Sequence, residues 1–369
     1  MCHEWLAARH GSEKTFEAMA GALPTADVYG LTWNPESGLN LAGRPVTSTF
    51  LNRLRPLRGR RALQLPLMPL AWRYASRRDY DLVVTSSHAC AKGFRPGRQA
   101  LHLCYCYTPM RYLWLSSIDT RRRRSTVTVP FERLMRAWDL SSVAWVDEFA
   151  AISTAVQARI GEFYNRPATV IHPPVDTDHY TPGHRGDGGY ALSVSRMVPY
   201  KRLDLAIRAC HRVGHPLVVA GAGPAEVELR ALAAGLAADV RFVVEPDDDQ
   251  LRELYRSADV LVFTAEEDFG IVPVEAQACG TPVVALSRGG TLDTVLPGTT
   301  GVLVDELDVD EFAAGVERAL NAGLAPSDCR RNAERFSASR FRNEFLDWVI
   351  GSAEARGVAV DDPRTAETV

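Results

Sequence analysis

The chain reads as two doubly wound α/β domains in series, and three observations predict that class. Its 369 residues exceed the roughly 100–200 residues of an ordinary single core. Strand-length apolar runs alternate with helically spaced segments along most of the chain, the pattern of βαβ units around parallel sheets. A Pro- and Gly-rich break, Pro173-Pro174 followed by Thr181 to Gly189, interrupts the alternation near the middle. A composition that is 46% hydrophobic and 24% charged is that of a globular protein.

Taken in order, strands are expected at Leu82 to Thr85, Leu101 to Tyr105, Phe149 to Ser153, Thr169 to His172, Ala191 to Val194, Leu217 to Ala220, Val240 to Val244, Val260 to Phe263, Pro282 to Ala285 and Gly301 to Val304. Helical spacing covers Glu13 to Ala22, Thr154 to Phe163, Arg202 to Val213, Ala225 to Ala237, Asp249 to Ser257, Pro273 to Ala278 and Asp310 to Asn321. The start stands apart. Met1 to Leu6 leads into Gly11, Ser12 and a helix as a first βα turn does, yet the strand itself looks almost absent where a central strand needs about five residues. A start upstream of Met1 or a stub strand would each account for it. The domains are expected at 1–172 and 173–337, with 338–369 forming a C-terminal helix that packs back toward the first domain and a disordered tail.

The net charge of −3 conceals an asymmetry. Residues 1–175 hold about 23 Lys and Arg against 13 Asp and Glu, roughly +10, and the remainder about 19 against 32, roughly −13. Arg53, Arg55, Arg58, Arg60, Arg61, Arg73, Arg77, Arg78 and the run Arg121 to Arg124 supply much of the positive charge. Such a face suits anionic lipid headgroups, a phosphorylated acceptor or plain solvent, and nucleic acid is not expected as a partner. No apolar run of about 18 residues spans a bilayer and no secretory signal opens the chain, so a cytoplasmic location is expected, with peripheral attachment to the inner membrane face as an option. The 7 cysteines have no repeated spacing and read as reduced.

The chemistry gathers in the second half. Ala265 to Ala285 runs from a strand end through a loop into a helix. Phe269, Gly270 and Ile271 there offer backbone amides at a helix N-terminus, which stabilises an anion through free donors and the helix dipole. Glu267 precedes the helix and Glu275 lies within it, a separation suited to holding two ends of one elongated ligand; a cap and an ordinary surface residue are the plain alternative. Upstream, Arg196 and Lys201 lie between a strand and a helix, a fork and a point charge that suit a diphosphate.

The segment from Glu267 to Glu275, with Phe-Gly-Ile-Val-Pro-Val-Glu-Ala-Gln-Ala-Cys-Gly-Thr-Pro-Val around it, resembles the E-x7-E signature of the retaining glycosyltransferases of family 4. The resemblance implies the GT-B fold, two Rossmann-like domains facing a central cleft. In that family the Arg-x4-Lys pattern, here Arg196 and Lys201, contacts the donor pyrophosphate in place of a metal. Gly221-Ala222-Gly223-Pro224 resembles the Gly-x-Gly-Pro turn near the nucleotide; as a dinucleotide fingerprint it fails, since Glu226 stands where the third glycine belongs. Ile171 to Asp176 and Ser257-Ala258-Asp259 also fit.

What the resemblance implies for the first half is looser. His88, ending a strand, stands where the family places a histidine beside the reacting sugar, although a lone strand-end histidine is also often structural. Cys106-Tyr107-Thr108-Pro109-Met110-Arg111 resembles a Cys-His-Thr-Pro-Met-Arg segment. Tyr107 there replaces the histidine, with a phenol that can still donate to a hydroxyl, and Arg111 is a further acceptor or sugar contact. Gly11 and Ser12 stand where relatives carry a glycine-rich loop approaching the phosphates.

The expected reaction moves a hexose, guessed as mannose from GDP-mannose, onto a glycan or lipid-linked acceptor in polysaccharide or glycolipid assembly. Glu275 would hold the ribose and Glu267 the sugar hydroxyls; the leaving phosphate would accept the acceptor's proton, and domain closure would exclude water. No cofactor and no metal are expected. His102, Cys104 and Cys106 share a strand face and could ligate zinc, but a buried apolar face explains them; Asp247, Asp248 and Asp249 read as a helix start. An epimerase of the same fold and a non-catalytic nucleotide-sugar binder remain as alternatives.

Overall fold

A computed structural model of the chain describes residues 1–54, 61–76, 78–95, 97, 99–115, 129–184, 186 and 188–366. Of the basic clusters, Arg55, Arg58, Arg60, Arg77 and the run Arg121 to Arg124 lie outside the described residues. The chain divides into two compact units, Met1–Pro173 with Phe341–Val369, and Pro174–Arg340.

The first unit is built on a seven-stranded, wholly parallel sheet: β1 (Cys2–Leu6), β2 (Val28–Trp33), β3 (Val46–Ser48), β4 (Leu82–Ser87), β5 (Leu101–Cys106), β6 (Glu148–Ala151) and β7 (Ala168–Val170), in the order β3-β2-β1-β4-β5-β6-β7. The first strand, expected to be nearly absent, is a full five residues and all five are buried. It pairs on both sides, Cys2 against Tyr29 of β2 and against Thr85 of β4, so Cys-His-Glu-Trp-Leu is a central strand despite its two polar residues. The strands β2 and β3 were not legible: Gly30 interrupts one apolar run, and the other is a three-residue, partly exposed edge.

Among the described residues, three helices of eight residues or more connect these strands: α1 (Gly11–Ala22), α2 (Val129–Val143) and α3 (Thr154–Tyr164). Helix α3 starts where Ser153 Oγ accepts from the Val156 amide, and it stops at Asn165 in the left-handed conformation. On one face of the sheet Trp5, Leu31, Met68, Trp72, Phe94, Leu113 and Met135 form a continuous core.

The second unit carries β8 (Ala191–Val194), β9 (Leu217–Ala220), β10 (Val240–Val243), β11 (Val260–Phe263), β12 (Val283–Leu286) and β13 (Gly301–Val304), all parallel, in the order β10-β9-β8-β11-β12-β13. The helices are α4 (Leu203–Val213), α5 (Glu226–Gly235), α6 (Asp248–Ser257), α7 (Ile271–Ala278), α8 (Val309–Asn321) and α9 (Pro326–Glu334). The short, uninterrupted runs Leu-Val-Val-Ala and Val-Leu-Val-Phe are buried throughout, as strands covered by helices on both faces must be. Ile207, Val219, Val262, Val284, Phe312 and Val316 tie α4 and α8 to the sheet.

The last long helix, α10 (Ala338–Arg356), contributes Phe341 edge-on to Tyr105, with ring centroids 5.9 Å apart, and Ser352 Oγ donates to Glu148 at 2.8 Å. Among the described residues no helix is long and apolar enough to cross a membrane.

Both sheets reverse their strand order at one place, between β1 and β4 in the first unit and between β8 and β11 in the second. Doubly wound sheets bind ligands outside the carboxyl ends of the strands at such a reversal, because the two flanking connections leave in opposite directions and open a crevice there.

Candidate functional site

In the second unit the sequence-predicted residues fall at that reversal. Strand β8 ends at Val194, and the chain continues through Ser195 and Arg196 into a 3-10 turn, Pro199–Lys201. Strand β11 ends at Phe263 and leads to Glu267. The two segments meet: Lys201 Nζ forms an ion pair with Glu267, and Thr264 Oγ1 donates to the Lys201 carbonyl at 2.8 Å. Arg196 is exposed, with its guanidinium on the Tyr200 hydroxyl at 3.1 Å.

The turn after β9 shapes this loop. The Ser195 amide donates to Ala220 O at 3.0 Å, Met197 N to Ala222 O at 2.8 Å and Ala225 N back to Met197 O at 2.9 Å. Gly221 has φ +134°, and a Cβ there would strike the Ser195 carbonyl. Gly221, expected as a donor contact, is therefore the residue that lets the Arg196 loop close onto the turn.

Gly270 is the residue before helix α7; it sits in the left-handed region with φ 93° and has no side chain to cap the amides of the first turn. Ile271 is its first residue, and Phe269 is buried edge-on to Phe336 at 5.5 Å. Glu275 is 9% exposed, not the surface residue of the plain alternative, and accepts from Tyr255 Oη at 2.9 Å. Burial, then the neighbouring Glu275 charge, pushes the Tyr255 phenol well up, which keeps it a donor. Gln277 braces the helix by donating to Thr294 O at 2.8 Å while accepting from Asn332 Nδ2 at 2.7 Å. Tyr255, Gln277 and Asn332 were not singled out in the sequence, where each is one polar residue in an ordinary helix.

In the first unit His88 follows β4 directly and its side chain is 21% exposed. Its Nδ1 lies 3.3 Å from Glu4 Oε2. Glu4 is wholly buried and accepts from Ser87 Oγ at 3.0 Å and from the amides of Ala89 and Ala91, both at 2.9 Å. Burial would raise its carboxyl, but His88, His3 and those amides outweigh it and hold the group below its usual range. His3 completes the group; burial pushes its imidazole down to about 4. The ligand-type atoms of His3, Glu4 and His88 lie within 4.8 Å of one another. Neither His3 nor Glu4 was singled out as a site residue, because a His-Glu pair at the start of a chain reads as a polar terminus until β1 is known to be central.

The remaining sequence-predicted residues are placed as follows. Gly11 and Ser12 are not a loop but the first turn of α1, and the Ser12 hydroxyl donates to Glu13 at 2.9 Å. Tyr107 is only 8% exposed and donates its proton to the Ser12 carbonyl at 2.9 Å. Arg111 opens a short helix, Arg111–Trp114, and is partly buried. His102 is engaged by Thr85 Oγ1 and the Trp145 carbonyl at 3.0 and 2.9 Å, and the cysteines are free and buried. Burial pushes the Cys104 and Cys106 thiols up, which leaves protonated sulfurs in an apolar strand face. Asp247 and Gln250 form a reciprocal capping box at the start of α6.

Two family profiles match in tandem: "Glycosyltransferase Family 4" over residues 10–179 and "Glycosyl transferases group 1" over residues 175–336. The chain belongs to the family 4 glycosyltransferases. This family 4 member is similar to the D-inositol 3-phosphate glycosyltransferase of Mycobacterium sp. strain KMS, 38% identical over 189 residues, 46% of this chain and 43% of that one. It is likewise similar to the D-inositol 3-phosphate glycosyltransferase of Geodermatophilus obscurus, 34% identical over 249 residues, 59% and 55% of the two chains. It thus spans about half the length of these curated relatives. Among solved structures the GT-B architecture recurs in Anabaena HepE in complex with UDP, with TM-score 0.71, 18% identity, and 95% and 99% of the chains covered. Sucrose-phosphate synthase from Thermosynechococcus elongatus matches with TM-score 0.74, 18% identity, and 96% and 99% covered.

Proposed function

We propose that this chain transfers a hexosyl group, with retention of anomeric configuration, from a nucleotide-diphosphate sugar to a hydroxyl acceptor. The observation that carries the reading is the Lys201–Glu267 pair at the strand-order reversal of the second unit, with Glu275 buried behind it on α7. Lys201 has three N–H donors and Glu267 takes one, so the cation can turn the others to a diphosphate that Arg196 also meets. The first-turn amides of α7 add uncharged donors, and because negative charge grows on the phosphate as the sugar leaves, fixed donors there favour the transition state over the bound substrate. In this reading Glu267, which Lys201 holds, accepts from sugar hydroxyls, and Glu275, which Tyr255 holds, from a ribose. In this reading no protein carboxylate acts as nucleophile; the departing phosphate takes the acceptor's proton.

The acceptor is less defined. The names of the curated relatives and the basic balance of residues 1–175 support a phosphorylated polyol, alongside the glycan or lipid-linked acceptor. GDP-mannose is the first donor to test and UDP-glucose the second, since HepE has been crystallised with UDP-glucose. A calorimetric screen of GDP-mannose, UDP-glucose, UDP-N-acetylglucosamine and their nucleoside diphosphates, on wild type and on Glu275→Ala and Lys201→Ala, tests the reading. Binding of one nucleotide family that both substitutions weaken supports it. A folded wild type that binds none of them refutes it in favour of a non-catalytic protein. Sedimentation with anionic vesicles, against neutral ones, separates a membrane-facing basic surface from a merely solvated one.

A further inference from the structure

The first unit contains a chain of hydrogen bonds whose directions can be deduced. Tyr107 Oη donates to the Ser12 carbonyl at 2.9 Å, since the carbonyl can only accept. With that proton committed, the contact between Tyr107 Oη and Ser86 Oγ at 3.0 Å must be made by the serine proton. Ser86 then has none left for His3 Nδ1, 3.0 Å away, so His3 Nδ1 carries the hydrogen. His3 is wholly buried, and burial keeps it neutral, so its Nε2 is a bare lone pair. That Nε2 has no hydrogen-bond partner.

One acceptor, the Glu4 carboxylate, therefore faces His88, and the His3 ring lies beside it, with ring centroids 5.7 Å apart and the three residues' ligand-type atoms within 4.8 Å of one another. The carboxylate cannot turn away, because Oε1 is held by Ser87 Oγ and by the amides of His88, Ala89 and Ala91, which is why Oε2 is the atom 3.3 Å from His88 Nδ1. A lone pair on Nδ1 would be repelled by that carboxylate. Nδ1 is buried and has Glu4 Oε2 as an electrostatic neighbour at 3.3 Å without hydrogen-bond geometry, whereas the side chain retains 21% exposure, so the accessible part of the ring is the rest of it, Nε2 included.

We propose that Glu4 and His3 are positioning residues that hold His88 as the Nδ1–H tautomer, with the Nε2 lone pair left as the acceptor available to a bound hydroxyl. The relay from Ser12 through Tyr107 and Ser86 sets the orientation of His3, and this accounts for a tyrosine at position 107: the phenol supplies the link between the start of α1 and the strand β4. The logic is that of a carboxylate that orients a histidine without itself exchanging a proton. The part of the proposal that concerns catalysis rests on the transferase reading of His88; the tautomer does not.

The test has two arms. Imidazole nitrogens of the full-length, ¹⁵N-labelled protein are observed by two-bond proton–nitrogen correlation, with His88 assigned by its loss in His88→Gln. The wild type is expected to show a neutral Nδ1–H pattern at His88. In Glu4→Gln the amide can place an N–H against Nδ1, which drives His88 toward Nε2–H. In the second arm kcat of sugar transfer falls about 10²-fold in Glu4→Gln, the scale of losing one fixed hydrogen bond beside the reacting sugar, while nucleotide affinity by calorimetry stays within about twofold. Tyr107→Phe keeps the ring, removes the relay hydroxyl and is expected to free His3 into a mixture of tautomers; it carries the nitrogen experiment if Glu4→Gln does not fold.

An Nε2–H pattern at wild-type His88, or patterns unmoved by both substitutions, overturns the proposal. So does one equivalent of zinc retained per chain with metal-shifted His88 nitrogens, since two histidines and a carboxylate would then be ligands. If no nucleotide sugar binds or turns over, the transferase reading fails on its own, and the nitrogen spectra still decide the role of Glu4.

Discussion

Replacing Asp139 is expected to cost the first unit a large part of its stability. Lys92 and Asp139 are a fully desolvated pair: the ammonium side chain is 2% exposed and the carboxylate 0%. Lys92 Nζ also donates to the Ala89 carbonyl at 3.1 Å and lies 5.3 Å from the centre of the Tyr164 ring. The second carboxylate oxygen accepts from Trp114 Nε1 at 2.8 Å and from Tyr164 Oη at 2.9 Å. Burial alone would lower the lysine, yet the Asp139 charge holds it well above its ordinary value, so it stays charged. A raised lysine stabilises the fold fully below its unfolded value of 10.5 and loses that contribution only as pH climbs through the folded value, so the effect is constant across neutral pH.

Removing the carboxylate leaves a buried, uncompensated ammonium, a loss of about 3–5 kcal/mol. Asp139→Asn keeps one acceptor oxygen and belongs near the lower bound. Asp139→Ala also orphans the Trp114 and Tyr164 donors, at about 1 kcal/mol or more each, and belongs near or beyond the upper bound. Domain stabilities are typically about 5–15 kcal/mol, so either change is readily seen.

The assay is urea unfolding followed by tryptophan emission. All 7 tryptophans, Trp5, Trp33, Trp72, Trp114, Trp138, Trp145 and Trp348, lie in the first unit, so the signal reports that unit alone. The double variant Lys92→Met with Asp139→Leu should be more stable than Asp139→Ala because no ammonium is left buried, while still lacking the acceptor for Trp114 and Tyr164. A loss under about 1 kcal/mol for Asp139→Asn at unchanged slope, or a double variant no better than the single ones, would falsify the argument.

Three further outcomes follow from the same kind of reasoning. Gly221→Ala forces a Cβ into the Ser195 carbonyl at a φ of +134°, a strain of about 1–3 kcal/mol; calorimetry should show nucleotide affinity falling on the order of tenfold as the Arg196 loop shifts, and unaltered affinity would refute the role given to that glycine. His102 and His3 are each pushed by burial from 6.5 to about 4, so between those values the unfolded chain binds the extra protons: each should contribute a fall in stability of up to about 3 kcal/mol as pH drops through this window and nothing above it, with His102→Gln removing about half of the slope. Asp247→Ala removes one half of the capping box and should lower the thermal midpoint by the equivalent of about 1 kcal/mol without any change in nucleotide affinity; a loss of binding would mean that Asp247 contacts the ligand.

Much of the second unit was legible because its signals are local. Leu217 to Ala220 and Val260 to Phe263 coincide with β9 and β11 residue for residue, since a strand buried on both faces must be apolar at every position. Glu267, Glu275, Arg196 and Lys201 could be singled out because loop and helix start are contiguous in sequence. Helix α9 escaped because it buries little more than Cys329, Asn332 and Ala333 and so carries no apolar stripe; the edge strand β3 escaped because three residues make no pattern.

The first unit marks the boundary between the two sources of information. Composition, periodicity and the order of Gly and Pro by themselves pointed to the α/β class and to a break near the middle of the chain, because each depends on neighbours a few positions apart. Only the tertiary structure decided what Cys-His-Glu-Trp-Leu is. Pairing with β2 and β4 buries that segment, and burial turns Glu4 from a solvated terminal charge into the acceptor for four donors 83 to 87 positions away. A buried carboxylate must find its partners wherever the fold brings them, and separation along the chain carries no trace of that encounter.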